Sequence, residues 1–186
     1  TVYDMIHERF SSLFPNHDRT SANKLPSVDQ VDHIICISQS TKQDLCEIFN
    51  VPPAKISVVY LGSEKFSSGY STGERVDNER PFLLFVGNRG GYKNFKGMLK
   101  AVATRHELHN KIDIVTFGGG AFSASEMGLI QSLGFYRDTV HNYSGTDDAV
   151  LGQLYQHARA LVYPSLYEGF GLPPLEAMAY ECPVVS

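Results

Sequence analysis

The sequence predicts an α/β protein built on parallel sheets, and three observations carry the prediction. Short apolar runs alternate with amphipathic segments along residues 81–186, at the lengths of strands and helices. The runs are nearly continuous rather than alternating, as strands covered on both faces require. The segments after them open on glycine or on helix-capping residues. Together these patterns describe a doubly wound, Rossmann-like sheet.

The elements follow in order. Residues 1–6 read as an opening strand, and residues 10–26 as a loop rich in Ser, Asn and Pro before a short helix at 27–31. Residues 32–37 form an apolar run typical of a buried parallel strand. Ser40 and Gln43 fit a capping box, Leu45, Ile48 and Phe49 give the next helix its apolar face, and Pro52 and Pro53 end it. Residues 56–60 are the next strand. Residues 62–80 lack periodicity and are rich in Ser, Gly, Glu and Lys, as a linker is. The expected boundaries are therefore 1–63 for a first domain, 64–80 for the linker and 81–186 for a second domain.

In the second part, residues 81–86 are a strand and 94–109 a helix, with Phe95, Met98, Leu99 and Val102 on one face. Residues 112–117 are a strand ending in Gly118, Gly119 and Gly120. Ser123 and Glu126 fit a capping box for a helix that stops near Gly134. Residues 140–143 are a strand, Thr146, Asp147 and Asp148 cap a helix to about Ala158, and 160–163 are a strand. A helix should open near Pro173, where a missing N–H costs little. Ligands of such sheets bind beyond the carboxyl ends of the strands. That singles out the loops at 87–93, 118–123 and 164–172.

Composition narrows the function. The chain has 186 residues, is 42% hydrophobic and 19% charged, and carries a formal net charge of −4. No broad nucleic-acid surface is expected at that charge. The cysteines, Cys36, Cys46 and Cys182, lack metal-ligand spacing and read as buried thiols of a reducing compartment. His106 and His109 stand three apart on a helix, but no third ligand is evident, so no metal is assigned. No apolar run reaches the about 18–20 residues of a membrane helix. Both ends read as strands, so a fragment of a longer, two-domain protein is expected.

The chemistry concentrates in residues 163–179. A buried strand leads into a loop with Gly169 and Gly171, then into a helix whose N-terminus suits an anion. Glu168 and Glu176 frame that loop. Two carboxylates would repel a phosphate alone, but they accept hydrogen bonds from sugar hydroxyls. The plain alternative is that Glu176 complements the helix dipole and Glu168 is a solvated loop residue. The loop from Gly87 to Asn94 is neither a P-loop nor a dinucleotide fingerprint. Arg89 and Lys93 there are cations beside a helix start, either a diphosphate site or a surface turn.

Glu168, seven intervening residues and Glu176, with Gly169-Phe170-Gly171 between them, resembles the signature of retaining nucleotide-sugar glycosyltransferases of the group-1 class (family 4, GT-B fold). The resemblance implies a second domain that holds the donor, joined by the linker to the end of a first domain, with the donor in the cleft between them. It places Glu168 near the donor sugar's hydroxyls and Glu176 on the donor ribose. The Phe170–Leu172 backbone falls near the sugar and diphosphate. The family's loop with a diphosphate-contacting Lys corresponds to Gly87–Asn94, where Lys93 fits and Arg89 stands in for the usual Arg. Tyr3 occupies a place where the family often has His, with Asp4 after it and His7 nearby. Glu181 occupies a place where the family usually has Gly.

The expected function is transfer of a sugar from a nucleotide diphosphate sugar, GDP-mannose by the flavour of the motifs, to a saccharide or lipid-linked acceptor, with retention and without a metal. Lys93 and Glu168 are the expected catalytic residues. Arg89, Glu176, Gly169, Phe170, Gly171, Leu172 and Gly87 are expected to bind the donor. The expected setting is cytoplasmic polysaccharide assembly. Any peripheral contact with the inner face of a membrane would fall to sequence ahead of residue 1. Two alternatives stay open: a non-catalytic nucleotide-sugar-binding module, and a glycoside hydrolase using Glu168 and Glu176 as its carboxylate pair.

Overall fold

The computed structural model describes residues 1–62, 80–136, 138–144 and 147–186. They fall into two compact units. The first is Thr1–Gly62 together with Tyr167–Gly171, and the second holds the remaining described residues. The linker expected at 64–80 lies outside the described residues except for Arg80, and so does the capping residue Thr146.

The first unit contains α1 (Ile6–Arg9), α2 (Thr20–Asp29), β1 (Ile34–Cys36), α3 (Gln39–Phe49) and β2 (Ile56–Val58). β1 and β2 pair in parallel, with Ile34 opposite Ile56. The core gathers Val2, Met5, Val28, Ile34, Cys36, Leu45, Val51 and Ile56. Three expectations change here. The opening strand shrinks to one parallel bridge between Val2 and Cys36, because Asp4 accepts from the Ile6 backbone N–H and turns the chain into α1. The short helix at 27–31 is α2, which begins at Thr20 and runs through Pro26. Lys24 anchors it by donating to the Asp4 carbonyl (2.9 Å) and to Glu8 (2.8 Å). Finally, α3 is capped by Ser38, whose hydroxyl accepts from Thr41 N–H, and not by Ser40. Asn50 ends α3 in the left-handed region.

The second unit contains β3 (Phe82–Val86), α4 (Phe95–Ala103), β4 (Asp113–Phe117), α5 (Ala124–Ser132), β5 (Val140–Tyr143), α6 (Asp148–His157), β6 (Ala160–Val162), α7 (Leu172–Ala179) and β7 (Val184–Val185). Its five strands lie in the order β5-β4-β3-β6-β7, all parallel. Counted from β3, that is 3-2-1-4-5, the order of a Rossmann-type sheet. The two faces carry separate cores. Phe82, Leu84, Val115, Leu161, Leu154, Tyr155 and Ala177 meet on the face of α6 and α7. Phe85, Ile114, Met98, Leu99, Ile130 and Val140 meet on the face of α4 and α5. Neighbouring residues of one strand thus serve opposite faces, which is why the runs are apolar throughout. The α/β class with parallel, doubly wound strands is the one the sequence predicts.

Two helix ends differ in chemistry. α5 closes on Gly134 (φ +77°), where the N–H of Gly134 reaches Gln131 O and that of Phe135 reaches Ile130 O. α7 closes with the same bonds, Glu181 to Met178 O and Cys182 to Ala177 O, but the left-handed residue is Glu181 (φ +60°). A side chain there is strained where glycine is not.

Candidate functional site

In the second unit, the strand order turns at β3 and β6, and the loops beyond their carboxyl ends are bonded to each other. Asn94, itself left-handed, donates its side-chain N–H to Pro164 O (3.1 Å). Gly97 leaves room for that amide, since a Cβ there would lie 2.4 Å from its oxygen. Leu166 N–H donates to Tyr92 O (2.8 Å), and Gly87 N–H to Phe117 O (2.9 Å). Of the loops singled out at 87–93, 118–123 and 164–172, the first is therefore bonded to the base of the second and to residues 164–166 of the third.

Arg89 and Lys93 have different positions. Lys93 lies with its stem against Gly87 (φ +117°), and its ammonium is 5.6 Å from the ring centres of both Tyr92 and Tyr163. Arg89 is buried, at 5% exposure, and faces inward. Its Nε donates to Glu126 (2.8 Å). Its two terminal nitrogens donate to Gly118 O, Gly119 O, Gly120 O, Ala121 O and the Asn142 side chain, at 2.8–3.3 Å. All five guanidinium protons have acceptors. This corrects the expectation of a second cation facing a diphosphate. Arg89 instead folds the Gly118–Ala121 turn, whose three left-handed glycines aim their carbonyls at it. Burial pushes the Glu126 carboxyl up, but hydrogen bonds from Ser123 and Arg89 outweigh it and hold the group below its ordinary range.

The helix after the signature loop is α7. Gly171 precedes it at φ +101°, where a Cβ would be strained. Pro173 and Pro174 are its second and third residues, so of the first four positions Leu172 and Leu175 carry an N–H. Glu176 is the fifth residue, one turn in rather than within the first turn. The helix dipole acts mainly within the first turn, so it does not account for Glu176. The Tyr155 hydroxyl does reach it, donating to Glu176 Oε2 at 2.9 Å.

The segment Tyr167–Gly171, carrying Glu168 and Phe170, packs within the first unit. The Tyr167 hydroxyl donates to Asp44 of α3, which is buried and also accepts from Arg9. Thr41 Oγ1 lies 3.4 Å from Gly169 O and 3.3 Å from Tyr3 O. Gly169 is required for space: a Cβ there would lie 2.1 Å from Tyr3 O. Phe170 faces Tyr60, with ring centres 6.1 Å apart. His7 stacks on Phe14 and lies 3.4 Å from Asp18. Sequence reasoning missed Tyr155, Asp44, Thr41 and Tyr167. Asp44 meets Tyr167 across 123 positions, a pairing with no local signal.

Among the described residues no three His, Cys, Asp or Glu side chains gather as a metal site would need. Among the same residues, no helix is long and apolar enough to cross a membrane.

Comparison with known proteins agrees with this architecture. Residues 70–186 match the family described as glycosyl transferases group 1, and residues 3–64 match the one described as glycosyltransferase family 4. The O-antigen chain mannosyltransferase RfbU of Salmonella typhimurium is 32% identical over 86% of this chain and 43% of its own. The MMP alpha-(1->4)-mannosyltransferase of Mycolicibacterium hassiacum is 31% identical over 84% of this chain and 37% of its own. The chain thus spans less than half the length of these relatives. Sucrose-phosphate synthase from Thermosynechococcus elongatus has the same fold, with a TM-score of 0.73 at 21% identity over 98% of this chain and 47% of that one. With the first match spanning well over half of the sequence, the chain belongs to the group 1 glycosyl transferases.

Proposed function

We propose that the protein is a retaining glycosyltransferase that moves a sugar, mannose by preference, from a nucleotide diphosphate sugar to an acceptor hydroxyl in glycan assembly. The observation that carries this reading is the joined pair of loops at the turn of the strand order, with the Lys93 ammonium beside them. An ammonium at the carboxyl end of a doubly wound sheet is suited to a diphosphate. The opening of α7 adds the N–H groups of Leu172 and Leu175 and the positive end of its dipole. Glu176 accepts from ribose hydroxyls and Glu168 from hydroxyls of the transferred sugar.

Catalysis is then mostly electrostatic. The bond from the anomeric carbon to the diphosphate oxygen breaks as the bond to the acceptor oxygen forms on the same face of the sugar, and the acceptor's hydroxyl proton passes to the departing diphosphate oxygen. Negative charge grows on the leaving diphosphate, where Lys93 and the helix N-terminus stabilise it. The fixed cation and dipole do this without a metal ion. The mannosyl preference rests on the mannosyltransferase relatives, and GDP is the matching nucleotide.

Calorimetric titration with GDP, UDP and ADP tests the reading. One nucleotide should bind, and Lys93→Ala should weaken it by about 10- to 100-fold, the worth of one charge-assisted contact. Glu176→Ala should weaken the same nucleotide. Sugar transfer at the unmutated rate by an enzyme lacking both Glu168 and Lys93 would overturn it.

A further inference from the structure

We propose that Tyr155 is a positioning residue for nucleotide recognition, aiming the Glu176 carboxylate at the vicinal hydroxyls of the donor ribose. The inference rests on the donor-site reading above. Tyr155 sits on α6, fully buried among Phe82, Leu84, Leu154, Leu161 and Ala177. Its ring stacks on Tyr180, with centres 5.9 Å apart and planes 15° off parallel. Gly152, one turn earlier on α6, admits Tyr180: a Cβ there would lie 2.9 Å from the Tyr180 hydroxyl. The ring is therefore held in place, and its hydroxyl donates to Glu176 Oε2 at 2.9 Å.

That bond fixes a side chain that would otherwise be free to turn. Glu176 has three rotatable bonds and lies a turn beyond the helix N-terminus, where the dipole no longer orients it. Among the described residues Tyr155 is the one side chain that donates to it. A carboxylate offers about four lone-pair sites, and one phenol occupies one of them. Oε1 and the remaining lone pair of Oε2 are left to accept two adjacent hydroxyls. The ribose 2′,3′-diol presents such a pair, whereas a phosphate, having no hydroxyl to donate, would be repelled. Tyr155 is the donor throughout the physiological range, since burial and the Glu176 charge both push its hydroxyl well above the ordinary tyrosine value.

The test separates a positioning role from a merely structural one. Affinities of the enzyme for GDP, or for whichever of the three nucleotides it selects, and for the 2′,3′-dideoxy analogue are compared. They are measured on the unmutated enzyme, Tyr155→Phe, Glu176→Gln and the double variant. Tyr155→Phe removes one oxygen and should leave the protein folded, with the melting midpoint down by a few degrees. It should weaken the nucleotide by about 10-fold and leave the dideoxy analogue unchanged. The double variant should bind no worse than Glu176→Gln. An equal loss for both ligands, or no loss for either, overturns the role of Tyr155. If the unmutated enzyme does not distinguish the two ligands and Glu176→Gln changes neither affinity, the ribose reading itself fails, and the inference with it.

Discussion

Glu168 and Glu176 stand eight positions apart, yet they are held by different means. Glu168 rides on a backbone clamped on both sides. Tyr167 before it is bonded to Asp44, and Gly169 after it lies against Tyr3 O with its carbonyl near Thr41. Glu176 sits on a regular helix that leaves its side chain free, and the buried phenol of Tyr155 grips the carboxylate itself. The first arrangement fixes where a loop residue starts; the second fixes where a helical side chain ends. A loop needs the former, because its backbone has no ladder of its own. A helix supplies the backbone and needs the latter.

The largest effect should come from breaking the first hold. Gly169→Ala puts a methyl 2.1 Å from Tyr3 O, and that neighbour is backbone. The loop must shift, at a cost of about 1–3 kcal/mol or more, and sugar transfer should fall by about 100-fold. A steady-state assay beside a melting curve reads both. Tyr167→Phe is milder. It removes one donor from Asp44, which keeps Arg9, so stability should fall by about 1 kcal/mol and transfer by several-fold with the fold intact. Rate and melting curve separate the two.

Alkaline titration sharpens the comparison. Burial leads in raising both phenols, helped by the Glu176 charge for Tyr155 and by the Asp44 hydrogen bond for Tyr167. In the unfolded chain both ionise near the ordinary value of 10. The folded state keeps its protons longer, so their contribution to stability is complete below that pH and declines as pH rises above it. Denaturant unfolding followed from pH 8 to 11 should show the decline, and each Phe variant should reduce its slope. The smallest effect lies at the far end of α7. Glu181→Gly relieves a left-handed side chain and should raise stability by about 1 kcal/mol without altering transfer, as a melting curve and an activity assay would show.

Much of this was legible in the sequence because it is local. The capping box of Ser123 and Glu126 forms as read, and α4 buries Phe95, Met98, Leu99 and Val102 as its spacing requires. The runs that serve two cores read as parallel strands for a physical reason, since neither face can be polar. What was not legible depends on partners distant in sequence. Pro26 and a polar composition hide α2, which Lys24 secures by reaching Asp4 and Glu8. Ser40 read as the cap of α3, but the helix already begins at Gln39 where the chain leaves β1, and Ser38 takes that place. Arg89 looked like a ligand for phosphate because charge is visible in a sequence and burial is not. Its acceptors lie 29–53 positions away.

The sheet order also bears on how the second unit is made. β3 is central, and on one side it pairs with β4, the next strand in the chain. On the other side Leu83 pairs with Ala160, so that edge stays unfilled until nearly all the intervening chain has been synthesised. An open strand edge is a template for wrong pairing. The turn of the strand order that shapes the ligand end of the sheet therefore leaves β3 exposed longest during biosynthesis. It also makes the arrival of β6, immediately ahead of the two-glutamate loop, the event that covers this edge of β3, before β7 adds outside it.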